Sequence, residues 1–470
     1  MRLHVIVVVT LLCLLITSCT SGTPSSQAAS AVTSPAEPMI TSAPTLPRLT
    51  SIPPNPTKIS QPTIPTPAII QTNFEKKGRT LYLDSGVVRV GIDTQWGGAI
   101  REIWFKGENI INNYDGGRLL AVSFYDSDKA PASNHPNDTG WNPTPSDMYN
   151  NPNPLLEYSF ADNELYTKAR YIQWFPDDKG GGPNHPVQTD IYVETWIAFI
   201  DAPDTLRVSY RVTNEGLEGH AIASQEFPFA YFRTPYNRYV TYSGSDPWTD
   251  SPELMRDIPS SGSGGGVTVA SERWAGFINS SDDGLVLWAP QSYGEFSYSY
   301  FDNQGPKENS TYYLLPRAFL AIPAGFTQET QIFLILGNWH HSRDRIYNLH
   351  DSLGFADIMP SFGIIDNPGS GATVSGLLSV DGWAIDDQGV AKIEVLLDGK
   401  DIGLANYGGI RQDVDTDYPG LPNAPHFGFR FDMDTTLFSN GLHALEVVAT
   451  DTSGNTSQLR PGSIKIEIKN

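Results

Sequence analysis

From Leu81 onward, apolar and polar residues alternate along the chain. In "GVVRVGI" Val88, Val90 and Ile92 share one face, and in "LRVSYRVTN" Leu206, Val208, Tyr210 and Val212 do. A period of two with turn-forming clusters between the runs predicts strands buried on one side. "TDIYVETWIAFI" assigns Ile191, Val193, Thr195, Ile197 and Phe199 to a core face and Tyr192, Glu194 and Trp196 to the opposite one. Amphipathic helical spacing is scarce; its best instance is "SRDRIYNLHDSL" (342–353), expected to close a large domain. A boundary is expected at "IMPSFGIIDNPG" (358–369), which offers turn residues without periodicity. Beyond it, "AKIEVLLDG" sets Ala391, Ile393, Val395 and Leu397 on one face, and "IKIEIKN" sets Ile464, Ile466 and Ile468 inward. Short strands at this spacing predict a second, smaller antiparallel sandwich. The fold class expected is therefore all-β.

The first residues change the picture of where the chain works. A basic start, the run "VIVVVTLLCLLI" and small residues after it describe an export signal too short for a membrane span. Ile16-Thr17-Ser18-Cys19 resembles the lipobox of bacterial lipoproteins. That resemblance implies cleavage before Cys19 and lipid on its sulfur, hence a membrane anchor at the bacterial cell surface. Residues 19–72 are rich in Pro, Ser and Thr, a composition that buries too little to fold and reads as a disordered stalk. The domains expected are a signal over 1–18, the stalk over 19–72, a large β-domain over 73–357 and a small sandwich over 358–470. Cys13 and Cys19 are the only cysteines, which leaves the expected mature domains without disulfides, thiol nucleophiles or Cys-ligated zinc. The net charge of −21 comes without a Lys/Arg cluster, so nucleic acid is not an expected partner.

Two resemblances follow from longer stretches. "VDGWAIDDQGVAKIEVLLDG" and "NGLHALEVVATDTSGN" resemble bacterial Ig-like modules. "GVVRVGIDTQWGGAIREIWFKGENIINNYDGGR", followed by "LRVSYRVTNEG" and "SQEFPFAY", resembles the galactose-mutarotase-like β-supersandwich. In the aldose epimerases of that fold a "GGAI" strand precedes a Gly-Arg whose guanidinium contacts sugar hydroxyls, which implies that role for Arg118. At the epimerase histidine strand this chain offers Gln225-Glu226, and the late glutamate of those enzymes has no counterpart. Plain mutarotation is therefore not implied, and the fold alone does not choose a chemistry.

The candidate chemistry centres on "HAIASQEFPFAYF" (220–232). Glu226 among Phe227, Pro228 and Phe229 would be desolvated, which raises a carboxyl pKa and suits a general acid; equally, it reads as a rim glutamate paired with Arg233. Glu194, between Tyr192 and Trp196, is the candidate base or nucleophile, or else one half of a buried salt bridge. Two carboxylates across a groove would serve glycoside hydrolysis. The loops 127–154 and 173–190 mix Trp, Asn, Asp and His, a set suited to polyhydroxylated ligands. They supply Trp141 and Trp174 for stacking and His135 for binding, with His185 as a further candidate base. "YSGSDPWTD" adds Asp246 and Trp248. The expectation is a polysaccharide or oligosaccharide partner, handled by an enzyme or by a non-catalytic binder. No cofactor is expected; Asp386-Asp387, Asp413/Asp415/Asp417 and Asp451 could hold calcium, though turn chemistry alone explains them.

Overall fold

The computed structural model describes residues 68–259, 265–302, 309–355, 357 and 359–470. Cys19, the signal and most of the stalk lie outside these residues. Among the described residues no helix is long and apolar enough to cross a membrane.

Two antiparallel ten-stranded sheets are built from the described residues before the helix Trp339–Ser352. The first runs from the strand Asn73–Lys77 through Thr80–Asp84, Val88–Asp93 and Ile100–Phe105 to Leu120–Ser123. It continues through His220–Phe232, Thr311–Ile322 and Glu295–Phe301 to Gly265–Val269. The second has Thr327–Asn338, Thr205–Asn214, Gln188–Phe199 and Glu164–Gln173 at its centre. Their facing sides make one core. Val88, Val90 and Ile92 from the first sheet meet Ile191, Val193, Leu206, Val208 and Val212 from the second, all buried. The alternation in the sequence is thus the alternation of the two inner faces.

The outer face of the second sheet is covered in turn. Helix Trp339–Ser352 lays Trp339, Ile346 and Leu349 on Val240, Trp274, Trp288 and Phe333. It is pinned by a buried ion pair in which Arg343 meets Glu272 at 2.8 Å, with side chains 5% and 0% exposed. Glu272 also accepts from Trp274 Nε1 at 2.8 Å and from the Tyr347 hydroxyl at 2.6 Å.

The second block forms a four-stranded and a six-stranded sheet around its own core of Val380, Ile393, Val395, Val447, Ile464, Ile466 and Ile468. Two expectations are corrected here. Segment 358–369 is not all turn, because Phe362–Asn367 is a strand paired with Leu377–Ile385. Ala391 is exposed and Val390 buried, because a register shift between Val390 and Lys392 moves the inward face by one residue. The sandwich also joins the first core: Phe362, Trp383, Ile385 and Phe427 belong to the same cluster as the large sheets.

Removing one partner of a buried ion pair strands the other. Arg343→Met is expected to lower stability by about 3–5 kcal/mol, read by urea unfolding. A loss within experimental error would mean that the pair does not hold the helix.

Candidate functional site

The decisive strand is His220–Phe232, which pairs with Leu120–Ser123 on one side and Thr311–Ile322 on the other. Glu226 lies opposite Ser123 and Phe229 opposite Ala121, so three residues of one strand span two of its neighbour. This β-bulge contains Pro228, and bulges are where a sheet tolerates a residue without an N–H. The extra residue puts Glu226 on the same face as Phe229 and Tyr231, although simple alternation would set it opposite them. Phe227, Ala230 and Phe232 turn to the main core. Phe229 joins Trp96, Leu119, Tyr313 and Leu315 on the outer face of the first sheet, with Tyr231 packed against them.

Over this face the two long loops close a cleft of about 340 Å³. Its floor is Ser123, Tyr125, Glu226, Phe229 and Tyr231, and its walls include Asn142 and Trp174. The loops are knitted together rather than loose. Asn151 Nδ2 donates to the Gly182 carbonyl at 2.9 Å, Asn184 N to Asn151 Oδ1 at 2.7 Å, and the Tyr149 hydroxyl to Asp177 at 2.8 Å. Asn142 Nδ2 donates to Ser123 Oγ at 3.1 Å and to the Phe124 carbonyl at 2.9 Å, which ties the wall to the floor. Trp174 packs so closely on Gly117 that a Cβ there would lie 2.6 Å from its ring.

Among the described residues that line this cleft, Glu226 is the one carboxylate. It is half-buried, and what it exposes faces the interior of the cleft. The Tyr313 hydroxyl donates to its Oε1. Burial pushes its carboxyl above the usual glutamate range, against the opposing hydrogen bonds of Tyr313, Ser123 and Tyr125. Burial, reinforced by the Glu226 charge, pushes the phenols of Tyr125, Tyr231 and Tyr313 up, so at neutral pH they stay protonated donors.

The sequence-predicted residues divide sharply. Glu226 and Trp174 line the cleft. Arg118 stands beside it, ion-paired with Asp115 and close enough for its charge to act on Tyr231. His135 is exposed on the rim, stacked on Phe175 with ring centroids 4.9 Å apart, next to the lining residues Pro136 and Asn137.

Glu194 is not brought to Glu226. It lies on a strand of the other sheet, on the face away from the core, accepting from the Tyr166 hydroxyl at 2.7 Å and 3.5 Å from Arg211. The expected pair of carboxylates across a groove is therefore not formed by these two, because period two aims Glu194 outward. His185 is exposed in a turn closed by its bridge to Gly182. Trp141 stacks on the buried His220 at 3.5 Å and lines a neighbouring cavity of about 280 Å³. Trp248 stacks on His350 at 3.8 Å, away from the cleft, and Asp246 is exposed in the same loop. Tyr125, Tyr231, Tyr313 and Asn142 were not singled out from the sequence; the "PFAYF" alternation was a signal for Tyr231 alone.

Residues 362–455 match the family of bacterial Ig domains. No curated protein matches the chain. Similar solved structures include a galactose mutarotase-like protein from Lactobacillus casei, 11% identical, covering 57% of this chain and 100% of that one at a TM-score of 0.32. Another galactose mutarotase-like protein, from Clostridium acetobutylicum, is 11% identical and covers 57% and 99% at 0.36. A polysaccharide lyase, 11% identical, covers 84% of this chain and 47% of its own length at 0.30. At these scores no residue role passes from them to this chain.

The raised carboxyl of Glu226 carries a sign for stability. Its folded proton affinity exceeds the unfolded one, so its ionisation opposes folding. The stability of the wild type relative to Glu226→Gln is fully present below the ordinary glutamate range and is lost as pH rises through the raised value. Urea unfolding of both proteins from about pH 4 to about pH 8 is expected to show that falling difference. A flat difference would place the carboxyl in water.

Proposed function

We propose that the cleft over Glu226 binds a sugar unit of a glycan. The observation that carries this reading is one half-buried carboxyl, the only one among the described lining residues, set among protonated phenols under a wall made by Trp174. Aromatic faces pack against the C–H faces of a pyranose, while Glu226 and the hydroxyls of Tyr125 and Tyr231 supply acceptors and donors for its hydroxyls. The volume falls in the range of small-molecule sites, about 300–1,000 Å³. Arg118 stands near enough to join the polar set. The reading takes the chain to be carried at a bacterial cell surface by lipid on Cys19, as its N-terminal sequence implies.

A second reading is acid catalysis on the bound glycan, and the raised proton affinity of Glu226 favours it. Two-carboxylate hydrolysis would need a second acid about 5–10 Å away across the cleft. None lines it among the described residues, so binding stands first.

A panel of polysaccharides, incubated with wild type, Glu226→Gln and Trp174→Ala, separates the readings. Retention of the wild type without product, weakened at least about tenfold by Trp174→Ala, is the result expected for a binder. Product from the wild type and none from Glu226→Gln would make Glu226 a general acid. Neither retention nor product on any polymer would end the glycan reading.

A further inference from the structure

Where the chain leaves the helix Trp339–Ser352 and enters the Ig-like sandwich, four carboxylates converge. Asp357 lies in the connecting segment, Asp386 and Asp387 in the turn after the strand Leu377–Ile385, and Asp451 at the end of the strand Gly441–Asp451. Carboxylate oxygens of Asp357, Asp386 and Asp451 all lie within 4.8 Å of one another. Asp386 and Asp451 are 0% and 1% exposed.

The hydrogen bonding of this cluster is incomplete on one side. Asp386 Oδ1 accepts from the backbone N–H groups of Gln388 and Gly389 at 2.8 and 2.9 Å. Asp386 Oδ2 is buried without a partner, and so are Asp357 Oδ2 and Asp387 Oδ1. Asp451 is held by Ser453 N, Asn455 N and Asn455 Nδ2 at 2.8 to 2.9 Å. The guanidinium of Arg273 reaches Asp387 at 3.2 Å.

A buried anionic oxygen with no donor costs several kcal/mol unless something compensates it. The donor set is all oxygen, which suits a hard divalent cation rather than zinc. Calcium binds oxygens at about 2.3–2.6 Å, so two ligands of one ion lie no more than about 5 Å apart, as these do. The cluster adjoins a cavity of about 120 Å³ lined by Asp357, Asp387 and Gln388, which gives an entry path and room for water ligands. The acids of the helix Gln412–Asp417 differ: Asp413 is exposed and paired with Arg411 at 2.7 Å.

We propose that Asp357, Asp386 and Asp451, with Asp387 beside them, bind one calcium ion that ties the connecting segment to the Ig-like sandwich. The full chain, stripped with EDTA, would be titrated with calcium by calorimetry, with magnesium as a second arm. Its thermal midpoint would be compared in calcium and in EDTA. The expected result is one calcium per chain, a higher midpoint in calcium, and weaker binding of magnesium. Asp386→Asn keeps an oxygen for the Gln388 and Gly389 amides, so the turn is retained. It and Asp451→Asn should each weaken calcium binding at least about tenfold and abolish the midpoint shift, while Asp413→Asn changes neither. A folded wild type that binds no calcium and melts alike in both buffers overturns the site. So does calcium binding unaltered in both Asp386→Asn and Asp451→Asn, and magnesium binding as tight as calcium overturns the choice of ion. Should the variants fail to fold, stoichiometry and midpoint shift in the wild type decide the matter.

Discussion

The register between His220–Phe232 and its two neighbours governs the face on which the cleft is built. A strand offers only two directions, and this one must give apolar residues to two cores at once. Phe227, Ala230 and Phe232 go to the core between the large sheets, while Phe229 joins the layer outside them. One extra residue at the bulge reconciles these demands and leaves Glu226 opposite Ser123 on the outer side. Tyr313, cross-strand from Tyr231, then reaches the carboxylate with its hydroxyl. Without the bulge, alternation from Ala230 and Phe232 would aim Glu226 into the main core rather than at the cleft.

The chain buries acidic side chains in three different ways, and the differences indicate what each can do. Glu272 meets a guanidinium, an indole N–H and a phenol, so its charge is compensated within the protein and its work is to hold a helix. Glu226 has hydroxyl donors but, among the described lining residues, no cation against it, and its proton affinity rises. That condition leaves it open to an incoming hydroxyl. Asp386 has two backbone donors on one oxygen and none on the other. A hydroxyl-lined acid suits a neutral polar ligand, and crowded acids with bare oxygens suit a cation.

Period two made the sheets legible, because both inner faces are apolar and both outer faces mixed. Val88, Val90, Ile92 and the Leu206–Val212 set sit where alternation puts them. The same rule misplaced Ala391, since a bulge has no signature in composition and puts the residues before it one step out of phase with Ile393, Val395 and Leu397, which stay buried. Glu194 shows the opposite limit. Its face was legible as non-core, but the sequence does not say which of two sheets carries that face to the cleft. Trp174 was legible as a loop aromatic near chemistry, whereas Trp248 carried the same local signal and stacks on a helix instead. What separates them is long-range pairing, which the 173–190 loop makes with the 127–154 loop.

The Ig-like sandwich is more than a bead on a string. Phe362 stacks on Phe319 at 5.0 Å and packs against Tyr293 at 4.9 Å, both residues of the large sheets' segment. Arg460 lies 4.4 Å over the Phe319 ring, and the Tyr418 hydroxyl donates to Glu295 at 3.0 Å. Phe319 belongs to Thr311–Ile322, the strand that also carries Tyr313. The strand that positions a donor at the Glu226 cleft thus bears the sandwich at its other end. An interface that shares an apolar core resists the relative motion expected of loosely linked domains. A strain at the joint would therefore meet the Thr311–Ile322 strand directly, and the same strand carries the phenol that donates to Glu226.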